Sequence, residues 1–174
     1  MYALVVYESM AGNAARAIAE AVARGLADGM RAEVAEAASA PATIGEDVGL
    51  LVVGAPAYAF WMSGASTRRS AARQAGGASP GVQGCGVREW LGVLRTSSAS
   101  LEAVAFDVRV ARPRLPGSAA RGVIRRLRRA GVRPAGPAWS FYVTGTRGRL
   151  VAGELGRARE WGQSLAASHA VRVP

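Results

Sequence analysis

Residues 2–28 read YALVVYESMAGNAARAIAEAVARGLAD, and this stretch decides the fold class. Residues 2–7 form a continuous apolar run that stops at a polar loop, which is typical of a strand buried inside a parallel sheet. Residues 14–28 follow a helical period, because the charged residues fall on one face and the apolar residues on another. The apolar residues that recur every four positions are Ile18, Val22 and Leu26.

The same two patterns alternate along the rest of the chain. Further strands are predicted at residues 31–37, 48–55 and 103–110, and residues 132–144 contain a fifth with its core at 139–143. Further helices are predicted at residues 66–74, 87–95, 118–130 and 154–168. The strand at 31–37 is short and is expected near a sheet edge, and Pro56 is expected to break the strand before it. This alternation predicts an α/β fold, a doubly wound parallel sheet with helices on both faces.

Residues at the helix ends fit these boundaries. Asn13 is placed to cap the first helix and Gly29 to end it. Ser118 and Gly131 hold the equivalent positions around the helix at 118–130. The side chains expected on buried helix faces are Trp90, Leu91, Leu94, Val123, Ile124, Leu127, Leu155, Ala158 and Leu165.

The loop at residues 9–13 joins a buried strand directly to a helix N-terminus. Unpaired backbone N–H groups and the positive end of the helix dipole at such a start suit a phosphate group. Gly12 permits a close backbone approach, and Ser9 and Asn13 can add side-chain hydrogen bonds. The alternative is a plain tight turn in which Asn13 only caps the helix. Neither G-x-G-x-x-G nor G-x-x-x-x-G-K occurs, so the common dinucleotide and nucleoside-triphosphate motifs are disfavoured.

Parallel sheets bind ligands beyond the carboxyl ends of their strands, so the loops after the first, third and fourth strands are expected to form any site. The loop after the third strand contains Tyr58, Phe60 and Trp61. Large aromatic side chains in a loop must be buried against something. A ligand ring is one candidate, and the helix around Trp90 is the other.

The segment VVYESMAGNA at residues 5–14, followed by AIA at 17–19, resembles the flavodoxin signature. In that family a strand leads into a Ser/Thr-x-x-Gly-Asn-Thr loop around the phosphate of flavin mononucleotide (FMN). LVVGAP at 51–56 with the aromatic loop after it is similar to the second FMN loop, and FDVR at 106–109 to the third. The resemblance covers nearly the whole chain. It implies one flavodoxin-like domain over residues 1–174, with three layers and a five-stranded sheet ordered 2-1-3-4-5.

The resemblance also implies a set of FMN-binding residues, with the isoalloxazine ring between the second and third loops. The residues expected around the phosphate are Ser9, Met10, Ala11, Gly12, Asn13 and Ala14. Those expected to line or cover the ring are Pro56, Ala57, Tyr58, Phe60 and Trp61. Those expected near its polar edge are Asp107 and Arg109.

Four positions depart from the family pattern. Ala14 stands where a threonine hydroxyl is usual, Ala11 where threonine or an aromatic residue is usual, and Ala57 where a threonine often follows proline. Trp61 stands where related sequences often have a small residue, so it either stacks on the ring or fills the cavity. A hydrogen bond to a charged group contributes about 1.5–3 kcal/mol, so two lost hydroxyls weaken phosphate binding by about a hundredfold or more.

Arginine dominates the charge of the chain. The net charge is +10, and all 22 basic residues are arginine, which is typical of GC-rich codon bias. A basic surface attracts acidic proteins, nucleic acid or anionic membranes, but the few aromatic residues are not interleaved as a nucleic-acid platform requires. Five arginines lie on the helix at 118–130. They form either a solvated face or a docking patch for an acidic partner. These arginines are Arg121, Arg125, Arg126, Arg128 and Arg129.

Several other functions are disfavoured by composition. Cys85 is the sole cysteine, so no internal disulfide forms, and a cytoplasmic location is expected. No apolar run approaches the roughly 20 residues that cross a bilayer, and no signal peptide is expected at the N-terminus. His169 is the only histidine, and neither a catalytic triad nor a metal-ligand spacing is found.

The sequence favours two functions, and a nucleic-acid or anionic-surface binder is a third that is motivated only by charge. The first is an FMN-binding redox protein, either an electron carrier or an FMN-dependent reductase of a small acceptor such as a quinone, in which the flavin carries the chemistry. Many flavodoxin-type carriers are acidic, so this basic chain would need an acidic redox partner. The second is a degenerate flavodoxin-like domain without flavin that acts as a protein-binding or regulatory module.

Overall fold

Residues 1–9, 13–58, 61–62, 85–112, 116–145 and 149–172 are described in the computed structural model of this chain. The strands are β1 (Tyr2–Tyr7), β2 (Ala32–Glu36), β3 (Thr43–Ile44), β4 (Val48–Tyr58), β5 (Trp61–Met62), β6 (Arg95–Thr96), β7 (Glu102–Val110), β8 (Arg133–Pro134), β9 (Trp139–Thr144) and β10 (Arg149–Leu150). The helices of the described ranges are α1 (Ala14–Leu26), α2 (Val87–Val93), α3 (Ala119–Arg129) and α4 (Glu154–Arg172). The helix predicted at 66–74 lies outside the described residues.

The long strands form one sheet in the order β2-β1-β4-β7-β9, and each neighbouring pair is parallel. This confirms the expected 2-1-3-4-5 order and the edge position of the second long strand. Three short strands extend the sheet: β10 pairs antiparallel with β9, β5 folds back antiparallel on β4, and β8 pairs with the start of β7. The short strands β3 and β6 form a separate parallel pair.

Helices cover both faces of the sheet, because successive side chains of a strand point to opposite sides. Val5 of β1 belongs to one buried cluster, together with residues of α1 and α4 such as Trp161. The next residue, Val6, belongs to a second cluster, together with residues of α2 and α3 such as Leu127. Burial of each large apolar side chain contributes about 1.5–3 kcal/mol, so these two clusters hold the three layers together.

Helices α1 and α4 pack backbone to backbone at two glycines. A Cβ atom at Gly25 would lie 2.0 Å from the carbonyl oxygen of Arg159, and one at Gly162 would lie 2.3 Å from the carbonyl oxygen of Val22. Both residues are buried. The close contact therefore depends on the absence of a side chain at both positions.

The prediction that Pro56 ends its strand is wrong. Strand β4 continues to Tyr58, and Pro56 pairs in register with Val108 of β7. On the other side of β4, the pairing with β1 ends at Gly54. Pro56 lies beyond that point, so its missing N–H does not interrupt the pairing of β4 with β1. Proline is tolerated in a strand at such a local edge.

The prediction that Leu155 is buried is also wrong, since Leu155 is 44% exposed. Its neighbour Glu154 turns toward the sheet instead, and its carboxylate accepts a hydrogen bond of 2.8 Å from the backbone N–H of Tyr142 in β9. The predicted burial of Ala158 and Leu165 on the same helix is confirmed.

The predicted ends of α3 are confirmed. The Ser118 hydroxyl accepts a hydrogen bond of 3.2 Å from the backbone N–H of Arg121, and Gly131 follows the helix with a φ of +84°. The end of α1 differs from the prediction, because the helix stops at Leu26 and the chain turns before Gly29.

Candidate functional site

The expected binding loops converge at the carboxyl edge of the sheet. Tyr7, the last residue of β1, is level with Gly54 of β4, and Gly54 is level with Phe106 of β7. The chain after β1, the end of β4 and the end of β7 therefore leave the sheet side by side. Ser9 is half-buried at this edge, and Pro56 is buried there.

The start of α1 exposes donors toward the same edge. Asn13 is exposed and has a left-handed backbone, with a φ of 54° and no hydrogen bond from its side chain to the helix. The interpretation of Asn13 as a side-chain cap is therefore wrong. The first turn of α1 contains no acidic residue, so no carboxylate from this turn neutralises the positive end of the helix dipole. This leaves the Asn13 amide and the helix N-terminus available to an anion.

Glu8 is a residue that the sequence reasoning missed. It is buried, and its carboxylate accepts a hydrogen bond of 2.9 Å from the backbone N–H of Val87, the first residue of α2. Its own backbone N–H donates to the carbonyl oxygen of Gly54 at 3.0 Å. Glu8 thus ties the loop after β1 to both β4 and α2. An acidic residue directly after a buried strand is the signal that could have identified it.

Asp107 is turned into the protein. It is fully buried, and one carboxylate oxygen accepts hydrogen bonds from the Ser118 hydroxyl at 2.6 Å and the Ala120 N–H at 3.2 Å. The other oxygen accepts from the Ser140 hydroxyl at 2.6 Å. The carboxylate therefore holds α3 and β9 against β7. Arg109, two residues further along β7, is half-buried. It lies one residue beyond the Pro56–Val108 pair, at the carboxyl edge of the sheet.

The aromatic loop begins as a hairpin at the end of β4. Ala57 pairs with Met62, and Tyr58 pairs with Trp61, in antiparallel register. Ala57 is half-buried. Of the other predicted binding residues, Met10, Ala11, Gly12 and Phe60 lie outside the described residues. The hairpin brings the backbones of three predicted ring-lining residues, Ala57, Tyr58 and Trp61, to the edge where the first and third loops also lie.

Two titratable groups near this edge have shifted pKa values. Burial raises the pKa of the Tyr7 phenol, and the negative charge of Glu36 raises it further, whereas Arg16 lowers it. The pKa of Arg16 is raised by its hydrogen bond of 2.8 Å to the Glu20 carboxylate and by the charge of that group. At neutral pH Tyr7 is therefore neutral, and the charge of Arg16 is matched by Glu20.

The remaining reactive side chains lie elsewhere. His169 is buried, and its Nδ1 lies 3.3 Å from the carboxylate of Glu102, which begins β7 at the opposite edge of the sheet. Cys85 is exposed just before α2. Within the described ranges, histidine, cysteine and carboxylate side chains form no group of three that could hold a metal ion. None of the helices described here is long and apolar enough to cross a membrane.

The residues at the carboxyl edge fit a flavin phosphate by their chemistry. The Ser9 hydroxyl and the Asn13 amide are donors, and the helix start adds backbone N–H groups. The carboxylate nearest in sequence, Glu8, is turned toward α2. Ala14 is buried, and its side chain adds no donor to this set.

No protein-family model matches the chain, and no curated protein matches its sequence. Solved structures do share its fold. A flavodoxin from the domain Archaea matches with a TM-score of 0.61 and 14% identity, over 98% of this chain and 99% of that one. Flavodoxin 1 from Bacillus cereus matches with a TM-score of 0.62 and 12% identity, over 100% of both chains.

A larger protein contains a similar unit. The flavodiiron protein from Giardia intestinalis matches with a TM-score of 0.58 and 16% identity, over 98% of this chain and 36% of that one. At such low identity these likenesses show the fold alone. The strand order, the two helical layers and these matches agree, and the chain has a flavodoxin-like fold.

Proposed function

We propose that the chain is an FMN-binding redox protein, an electron carrier or an FMN-dependent reductase of a small acceptor such as a quinone. The observation that carries this proposal is the start of α1, where Asn13 is exposed, left-handed and not engaged as a cap, at the carboxyl edge of the sheet. A helix N-terminus of this kind is suited to the phosphate of a nucleotide.

The chain's own residues would bind and orient the cofactor. Ser9 and Asn13 would donate hydrogen bonds to the phosphate, together with the first N–H groups of α1. The hairpin that contains Tyr58 and Trp61 would lie over the ring, and Arg109 would place a positive charge near the ring's polar edge. When bound, FMN supplies the electron-transfer chemistry, and the protein tunes its potential through these contacts.

The first prediction compares variants at the start of α1. Ala14→Ser restores a hydroxyl at the first helical position, so FMN should bind about tenfold more tightly. Asn13→Gly keeps the left-handed backbone but removes the amide, so affinity should fall by about tenfold. Ala17→Ser, the same substitution one turn further along α1, should leave the affinity unchanged. The measurement is an FMN titration of apo-protein, followed by flavin fluorescence.

The wild-type titration decides between the two functions. A sub-micromolar midpoint with these variant effects would support the flavoprotein. No quenching at tens of micromolar FMN, in wild type and Ala14→Ser alike, would reject it. The degenerate module would then be the better account, because Ala14 and Ala57 lack hydroxyl groups that are usual in the family pattern, and Ala11 replaces its threonine or aromatic residue.

A further inference from the structure

A groove runs along one flank of α3, on the side that faces residues 136–138. Its volume is about 810 Å³, and the side chains of Arg121, Arg125 and Arg128 line it. Ile124 and Pro137 also line it, so the groove combines apolar residues with arginines. The three arginines are exposed and lie four and three residues apart, which places them in one row along the helix. We call this feature the arginine groove.

The positive charge of the arginine groove is not matched by an ion pair within the described part of the chain. All 12 acidic residues of the chain fall within the described ranges, and none of them forms an ion pair with Arg121, Arg125 or Arg128 there. Among the helices that the structure describes, α3 alone contains no acidic residue. Codon bias explains why the cations are arginines. It does not explain why three of them form a row on a helix that contains no acidic residue.

Some arginines on the other described helices are paired. In α1, Arg16 lies 2.8 Å from Glu20, and in α4, Arg157 lies 2.6 Å from Glu154. In α3 the arginines of the last turn also face the negative end of the helix dipole, which favours them there. Arg121 is in the first turn, where a cation is disfavoured by that dipole, so its position is not explained by helix stability.

We propose that the arginine groove binds an acidic, extended segment of a partner protein. Guanidinium groups donate two parallel hydrogen bonds to a carboxylate in a planar geometry, and the apolar residues of the groove suit alternate apolar side chains. The row from Arg121 to Arg128 spans about 10 Å, since a helix rises about 1.5 Å per residue. An extended peptide covers that length with about three residues.

A protein segment fits the groove better than a nucleic acid does. Single-stranded nucleic acids are held by aromatic side chains on which bases stack, and none of the described lining residues of this groove is aromatic. The proposal goes beyond FMN binding, because docking in this groove needs no flavin.

The test compares two pairs of substitutions on the same helix. Arg125→Gln with Arg128→Gln removes two charges from the arginine groove. Arg126→Gln with Arg129→Gln removes two charges from the opposite flank, where these residues line a smaller groove of about 420 Å³. Both variants have the same net charge. The probe is a fluorescein-labelled peptide in which glutamate and aspartate alternate with leucine and alanine, and its binding is followed by fluorescence anisotropy.

We expect saturable binding to the wild type, about fivefold weaker in the first variant and changed by less than about twofold in the second. Equal losses in both variants would overturn the proposal in favour of general charge attraction. Absence of saturable peptide binding would also overturn it. A single-stranded DNA oligonucleotide that binds more tightly than the peptide, with the same dependence on the first pair, would point to nucleic acid instead. The titrations are repeated with FMN present, so failure to bind flavin and failure to bind peptide are separate results.

Discussion

Gly162→Ala is expected to lower the free energy of unfolding by about 2–3 kcal/mol, although alanine is the better helix former. A Cβ atom at this position would lie 2.3 Å from the carbonyl oxygen of Val22 and 3.0 Å from the backbone nitrogen of Leu26. Backbone atoms cannot move aside by changing a rotamer, so α4 would have to shift away from α1. That shift would loosen the contacts of Trp161 and Leu26 in the shared buried cluster.

Gly156→Ala is the matched control in the same helix. A Cβ atom there meets nothing within 4 Å, so the gain in helix propensity is unopposed and should stabilise the protein by about 0.5–1 kcal/mol. Both variants are measured by urea unfolding followed by circular dichroism. If Gly162→Ala were as stable as Gly156→Ala, the backbone contact between α1 and α4 would not be as close as described.

The strand and helix patterns were sufficient to predict a parallel sheet with helices on both faces, because apolar runs and helical periods report burial directly. The order of the strands was implied by the resemblance to flavodoxins, and the structure confirms it. The close contact of α1 with α4 was not predictable in this way. In a helical pattern, Gly25 and Gly162 differ from Gly156 only in what lies across from them, and that partner is distant in the chain. The extension of β4 through Pro56 was missed for a similar reason, since it depends on where the neighbouring strand β1 ends.

The candidate site was predictable in part. Ser9 and Asn13 were found because a loop motif between a strand and a helix is local in sequence, and the structure places both at the carboxyl edge. The role of Asp107 was not predictable, because an acidic residue within an apolar run gives no indication of which donors surround it. Its partner Ser140 lies 33 residues away in sequence and meets it only when β9 pairs with β7.

Asp107→Ala is expected to lower the free energy of unfolding by about 2–4 kcal/mol, because three buried or half-buried donors lose their acceptor together. Those donors are the hydroxyls of Ser118 and Ser140 and the N–H of Ala120. The helix cap of α3 is weakened as well, because the Asp107 carboxylate holds the Ser118 hydroxyl that accepts the hydrogen bond from the Arg121 N–H. Unfolding in urea measures the effect.

Asp107→Asn separates the hydrogen bonds from the charge. The amide oxygen can take the place of the carboxylate oxygen that faces Ser118 and Ala120, and the amide NH2 can donate to a Ser140 hydroxyl that reverses its role. All three contacts then persist as neutral bonds, which are about half as strong as charge-assisted ones, so the loss should be only about 1 kcal/mol. Combining Asp107→Asn with Ser140→Ala removes the reversed partner and should add about 1 kcal/mol to that loss. If Asp107→Asn were as damaging as Asp107→Ala, the charge itself rather than the three hydrogen bonds would hold α3 and β9 to β7.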